Sequence, residues 1–118
     1  MDDRHAEYMD QLVKAVETQP GETPESLRNR VILEAVRLQE APQGLSDELP
    51  SAIQSYITKV ALHAYRVTDE DVKGLQEIGY GEDAILEITL STALGAGLAR
   101  LQRGLAALQG ANDAQQTY

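Results

Sequence analysis

The chain has 118 residues, 42% of them hydrophobic, and no cysteine. That length is typical of one domain around one core, and the absence of cysteine excludes disulfides, thiolate catalysis, zinc–thiolate sites and thiol peroxidase activity. The formal net charge of −9 argues against nucleic acid and anionic membrane surfaces as partners, because both bind clustered Lys and Arg.

The first predicted helix runs from Asp2 or Asp3, whose carboxylates can cap it, to about Gln19. Its apolar residues recur at the i, i+3, i+4, i+7 spacing of one helix face, at Met9, Leu12, Val13 and Val16. The opposite face is charged, so the helix packs by a single stripe. That stripe suits either the chain's own core or a neighbouring molecule, and the sequence leaves both open.

A second helix is predicted to start at Thr23, as the capping hydroxyl, with Pro24 in the first helical position, and to end near Glu40. Proline and glycine within residues 41–45 predict a joint after it. A third helix starts within residues 46–50 and ends before Val67. The organisation up to this point is helical throughout.

The fourth predicted helix has the strongest start signal in the chain. Thr68 supplies a capping hydroxyl, three acids follow it over the positive end of the helix, and Val67 is placed to pack on Val72. Gly79 ends this short helix.

The fifth and longest predicted helix opens within residues 81–83 and ends near Leu108. Residues 110–118 carry no periodic apolar set, and we expect a disordered tail there. The fold class predicted for residues 1–109 is therefore a single all-α domain of about five helices with a long C-terminal helix.

A short heptad-like pattern of leucines on this last helix predicts a homo-oligomer. The residues expected to form the contact are Leu94, Gly97, Leu98, Leu101, Gly104 and Leu105. Ala93, Gly97 and Gly104 share one flank, where another backbone could approach closely. An equally good explanation is that leucine packing stabilises this helix enough for it to tolerate the glycines.

The N-terminus is acidic where a secretory signal is basic, and no apolar run of about eighteen residues is evident. We therefore expect no membrane segment and a cytoplasmic location.

An ordered set of residues in the second half of the chain resembles a known superfamily. The set is Val67, Thr68, Asp69, Glu70, Asp71 and Val72, then Leu75, Gly79, Glu82, Asp83, Ala84 and Ile85, and finally Arg100 and Arg103 in a long helix. It is similar to the C-terminal half of the alkyl-hydroperoxidase D and carboxymuconolactone decarboxylase superfamily, over about residues 56–108. The resemblance implies an all-α fold and assembly as dimers, trimers or hexamers.

The redox members of that superfamily carry Cys-x-x-Cys with a histidine four residues after the second cysteine. If His63 is placed on that histidine, Tyr56 and Lys59 stand where the cysteines would be. An alternative register puts the cysteine helix further upstream, where this chain again has no cysteine. The resemblance therefore transfers the fold and no peroxidase residue.

His63 is the sharpest candidate for chemistry, because a neutral imidazole can shuttle protons near neutral pH. An acid–base site would use His63 as the proton carrier, Glu34 to orient it, Tyr65 beside it and Arg66 to hold an anionic substrate. The competing interpretation is a partly buried histidine hydrogen-bonded to a neighbour.

No cofactor motif and no metal-ligand spacing are found in the sequence, and no metal or cofactor is predicted. Two function classes remain. The chain is either a non-redox, oligomeric structural or interaction protein of this superfamily, or a cofactor-free enzyme, of decarboxylase or isomerase type, that uses His63.

Overall fold

The computed structural model describes residues 3–18, 20–42 and 49–116. It contains α1 (Asp3–Thr18), α2 (Glu25–Glu40), α3 (Ser51–His63), α4 (Asp69–Glu77) and α5 (Glu82–Gln116), with one 3₁₀ turn (Ala64–Arg66) after α3. The described residues form no β-strand. The all-α prediction with a long C-terminal helix is confirmed.

The core lies between α2, α3 and α5, and the most extensive helix pair is α2 with α5. Aliphatic side chains fill it, as the composition requires. The buried cluster comprises Val31, Leu49, Ile53, Tyr56, Ile57, Leu75, Ile85 and Ile88. A smaller cluster of Leu38, Ala61 and Ala96 continues the same contact towards the ends of α2 and α3.

The α2–α5 contact is close because α5 has a glycine at the crossing. A Cβ on Gly95 would overlap the carbonyl oxygen of Ile32 and lie 2.8 Å from the Cβ of Ala35. The backbone of α5 therefore packs directly on α2 at this point. Any larger residue at position 95 would require the two helices to shift.

The start of α4 agrees with the sequence prediction. The Thr68 hydroxyl accepts a hydrogen bond from the Asp71 backbone N–H, and the Asp71 carboxylate accepts one from the Thr68 N–H at 2.8 Å, which completes a capping box. Asp71 also binds Lys59 of α3, at 2.9 Å. Hydrogen bonds from Lys59 and then from Thr68 hold the pKa of Asp71 below its usual value.

The start of α2 differs from the prediction. The Thr23 hydroxyl caps no backbone N–H and has no partner within the described part of the chain. Instead the Glu87 carboxylate of α5 accepts from the N–H groups of Glu22 and Thr23, at 2.9 and 3.0 Å. A Cβ on Gly21 would overlap Glu87 Oε1, so glycine at position 21 leaves space for the Glu87 carboxylate to accept these two hydrogen bonds.

Several predicted boundaries also shift. The third helix begins at Ser51, and most of the predicted joint at residues 41–45 lies outside the described residues, as does Gln19. The fifth helix does not end near Leu108 but continues to Gln116. Where we expected a disordered tail, residues 110–116 are helical, and that stretch contains no proline. Residues 117–118 lie outside the described residues.

The long α5 gives the molecule its elongated shape, with extents of 60 × 31 × 24 Å. Among the side chains of α5 that the structure describes, the last buried one is Ala99. From there the helix runs on for about 25 Å to its end, and none of its described side chains in that stretch is buried.

Candidate functional site

Three of the four predicted acid–base residues lie together at the end of α3 and in the 3₁₀ turn that follows it. The rings of His63 and Tyr65 meet edge to face, with centroids 6.1 Å apart, and the Arg66 guanidinium lies 5.5 Å from the centre of the Tyr65 ring. All three are exposed to solvent, Tyr65 by 79%. His63 is therefore neither the partly buried histidine of the one interpretation nor part of an enclosed site.

The structure does not bring Glu34, the fourth predicted residue, to His63. Glu34 is buried, accepts hydrogen bonds from Arg37 Nε and Arg37 Nη2, and accepts another from Gln54 Nε2 at 3.1 Å. The hydrogen bond to Glu34 raises the pKa of Arg37. His63 stands nine residues beyond Gln54, about 13 Å along α3, so Glu34 serves an ion pair inside the fold.

A surface pocket of about 750 Å³ lies elsewhere, between the starts of α2 and α5. Tyr80 lines it together with the acids Glu22, Glu82 and Asp83, and none of the four predicted site residues does. Its acidic rim is unsuited to the anionic substrate that Arg66 was predicted to hold. Within the described ranges, no three histidine or acidic side chains are grouped to hold a metal ion.

Two arginines of α5 have a structural role that the sequence did not reveal. Arg103 donates a hydrogen bond to the backbone carbonyl of Gln39 at 2.6 Å. Arg100 donates one to the backbone carbonyl of Ala61 at 3.4 Å. The Ala61 carbonyl also accepts a hydrogen bond from the side-chain amide of Gln39. Both carbonyls lie in the last turn of a helix, where intrahelical donors run out. These partners are 64 and 39 residues away in sequence, so no local motif signals them.

The feature of the structure that calls for a partner is the side of α5 that faces away from α2 and α3. Seven exposed residues form this outer face: Leu86, Leu90, Ala93, Gly97, Leu101, Gly104 and Leu108. At 100° per residue they fall within a sector of about 80° and extend for about 33 Å. The four leucines are 56, 53, 41 and 51% exposed in chain order, and none of the seven residues is charged.

The two glycines of the outer face are open. No atom of the described structure lies within 4 Å of a Cβ built on Gly97 or Gly104, apart from the helix's own backbone and chain neighbours. Of the six residues predicted to form a subunit contact, Gly97, Leu101 and Gly104 lie on this face. Leu94, Leu98 and Leu105 are half-buried and lie along one edge of it.

Length and composition alone would also allow α5 to cross a membrane, over Glu82–Ala111. This differs from the sequence-based expectation that no such segment exists. In this chain 44% of the apolar window is buried against the other helices. A helix that is buried in the core on one face and exposes a second apolar face therefore has the same length and apolar composition as a membrane span.

Comparisons with known proteins return no match: no family model, no curated protein and no solved structure is similar to this chain. Function has to be argued from the chain's own surfaces.

Proposed function

We propose that this chain is a non-redox, self-associating helical protein whose copies meet through the outer face of α5, and that it acts as a structural or interaction module. The observation that carries the proposal is the continuous exposed strip from Leu86 to Leu108. Monomeric proteins rarely leave a long uncharged apolar strip in water, and such strips mark interaction sites.

The far end of α5 favours a second copy of the chain as the occupant. Beyond Ala99 the helix has no buried side chain among those described, and a helical segment without packing is only marginally stable in water. A second α5 packed along the outer face supplies apolar contacts to Leu101 and Leu108, which the protein's own helices leave exposed.

The superfamily resemblance supports the same proposal. The residues that carry it lie within or beside α4 and α5. Proteins of this superfamily assemble into oligomers, and the lack of cysteine removes their thiol chemistry from this chain.

The acid–base alternative at His63 has less support. It needs a carboxylate that orients the imidazole and a site closed to water. Glu34 is held by Arg37 and Gln54, and the His63 ring is exposed.

The experiment is a matched pair of leucine substitutions on opposite sides of the molecule. Leu90→Glu puts a charge on the outer face of α5. Leu33→Glu makes the same change at a leucine of α2 that is 61% exposed and lies away from that face. In light scattering at high micromolar concentration, the Leu33→Glu variant should have the same mass as the unmodified protein, about twice 12.9 kDa.

Leu90→Glu should scatter as a monomer while its helical circular dichroism is unchanged. If both variants keep the mass of an assembled parent, the copies meet through another surface. If the parent itself is monomeric, the proposed function is wrong.

A further inference from the structure

We infer that two copies of α5 cross in antiparallel directions, with Gly97 of one copy against Gly97 of the other on a two-fold axis. The inference rests on the proposed function and adds the direction and register of the contact. It comes from the order of large and small residues along the outer face.

An isologous contact about a two-fold axis imposes reciprocal pairs, in which residue i meets residue j and j meets i. In an antiparallel pair centred on Gly97, Ala93 meets Leu101, Leu90 meets Gly104, and Leu86 meets Leu108. All seven residues of the outer face are thereby used, and each has a partner on the same face of the other copy.

The smallest of these pairs lies at the centre and the largest lies at the ends. Two packed helices are closest where they cross, and their surfaces separate towards the ends. The central pair is glycine with glycine, the next pairs each join one leucine to alanine or glycine, and the outermost pair joins two leucines. The side chains therefore fill a gap that widens in the way the helix geometry requires.

A parallel pair fits the same face poorly. Each residue would then meet its own copy, so that Leu101 would press on Leu101 one turn away from an empty space between two glycines at position 97. Large residues would hold the helices apart where small ones leave voids. Both defects cost stability.

The shape of the chain favours the antiparallel direction as well. In this register residues 104–108 of one copy lie beside residues 86–90 of the other. The segment that projects past the body then covers the leucines that the partner's body leaves exposed, Leu86 and Leu90. In a parallel pair the projecting segments would cover only each other.

The absence of cysteine allows a direct test by disulfide formation. We would compare Ala93→Cys, Leu101→Cys and the double variant that carries both, after light scattering shows that the reduced double variant still pairs. In the antiparallel register position 93 lies opposite position 101 of the other copy. Equivalent positions of the two copies are then about 12 Å apart along the helices, beyond the Cα separation that a disulfide spans.

Under mild oxidation, the double variant should form a disulfide-linked dimer on a non-reducing gel at least about tenfold faster than either single variant. Rapid linking of Ala93→Cys alone would show a parallel pair and overturn the inference. A reduced double variant that pairs but forms no disulfide would overturn the register and leave the proposed function standing. An unmodified protein that is monomeric in light scattering would remove the proposed function itself.

Discussion

The two faces of α5 are similar in composition and differ in what covers them. Ile85, Ile88 and Gly95 on the inner face are buried against the rest of the chain, whereas Leu86, Leu90 and Gly97 on the outer face are exposed. Apolar character therefore does not by itself identify the core side of this helix. The difference arises because α2 and α3 occupy only one side.

The two central glycines show the same contrast at a separation of two residues. Gly95 has no room for a Cβ because α2 packs on it, while Gly97 has open space around it. One glycine allows helices of the same chain to approach, and on our account the other allows helices of two chains to do so. The predictions below set inner positions against outer ones.

The largest expected effect comes from truncating a buried side chain of the inner face. Ile88 is fully buried, and Ile88→Ala should lower the free energy of unfolding by about 2–5 kcal/mol. Leu90→Ala should change it by no more than about 0.5 kcal/mol when the protein is dilute enough to be monomeric. Urea titrations followed by circular dichroism measure both values, and equal losses would show that the faces do not differ in this way.

Adding one methyl group at each glycine should give the next largest difference. Gly95→Ala should destabilise the fold by about 1–3 kcal/mol, because its Cβ meets the Ile32 carbonyl. Gly97→Ala should stabilise the dilute monomer by up to about 1 kcal/mol, since alanine is the better helix former, and should weaken pairing. Thermal unfolding and light scattering check the two halves of this prediction, and a stabilising Gly95→Ala would contradict the close approach.

Salt should strengthen the pairing of two copies through the outer face. Each copy carries a net charge of −9, so two copies repel, and salt screens that repulsion. The outer face has no charged residue, so salt has no ion pair there to weaken and screens only the repulsion between the copies. Raising the ionic strength from 20 to 500 mM should therefore strengthen pairing about several-fold. Sedimentation velocity measures this, and weaker pairing in salt would mean that ion pairs join the copies.

Acid should act on the body of the protein, with the smallest effect of the four. The pKa of Asp71 is lower in the folded chain than its ordinary value of 3.8, so ionised Asp71 stabilises the fold above that pH. This contribution is lost as the pH falls through the folded pKa. Asp71→Asn should therefore flatten the decline in stability below pH 4, as measured by urea titration against pH, and an unchanged acid profile would contradict it.

Local chemistry in the sequence predicted the helices well and the long-range contacts poorly. The α4 start was predictable because Thr68 and Asp71 are three residues apart and need only each other. At the start of α2, the predicted cap at Thr23 does not form, and the Thr23 N–H is bound by Glu87, which is 64 residues away from it. A local pattern cannot report a competing partner that the fold brings from another helix.

The candidate site shows the same limit. Helical spacing correctly placed Ala93, Gly97 and Gly104 on one flank, because that depends only on the helix period. It did not indicate that Gly95 is the residue that packs on α2, since α5 is apolar on two sides and the choice of inner face depends on the other helices. Likewise, the predicted proximity of Glu34 to His63 depends on how α2 packs on α3, and Glu34 of α2 lies beside Gln54, about 13 Å along α3 from His63.

The most direct test of the central claim is sedimentation equilibrium of the unmodified protein from low to high micromolar concentration. If the outer face of α5 joins two copies, the mass should rise from 12.9 kDa towards twice that value and fit a monomer–dimer equilibrium. A mass that stays at 12.9 kDa throughout would contradict the account.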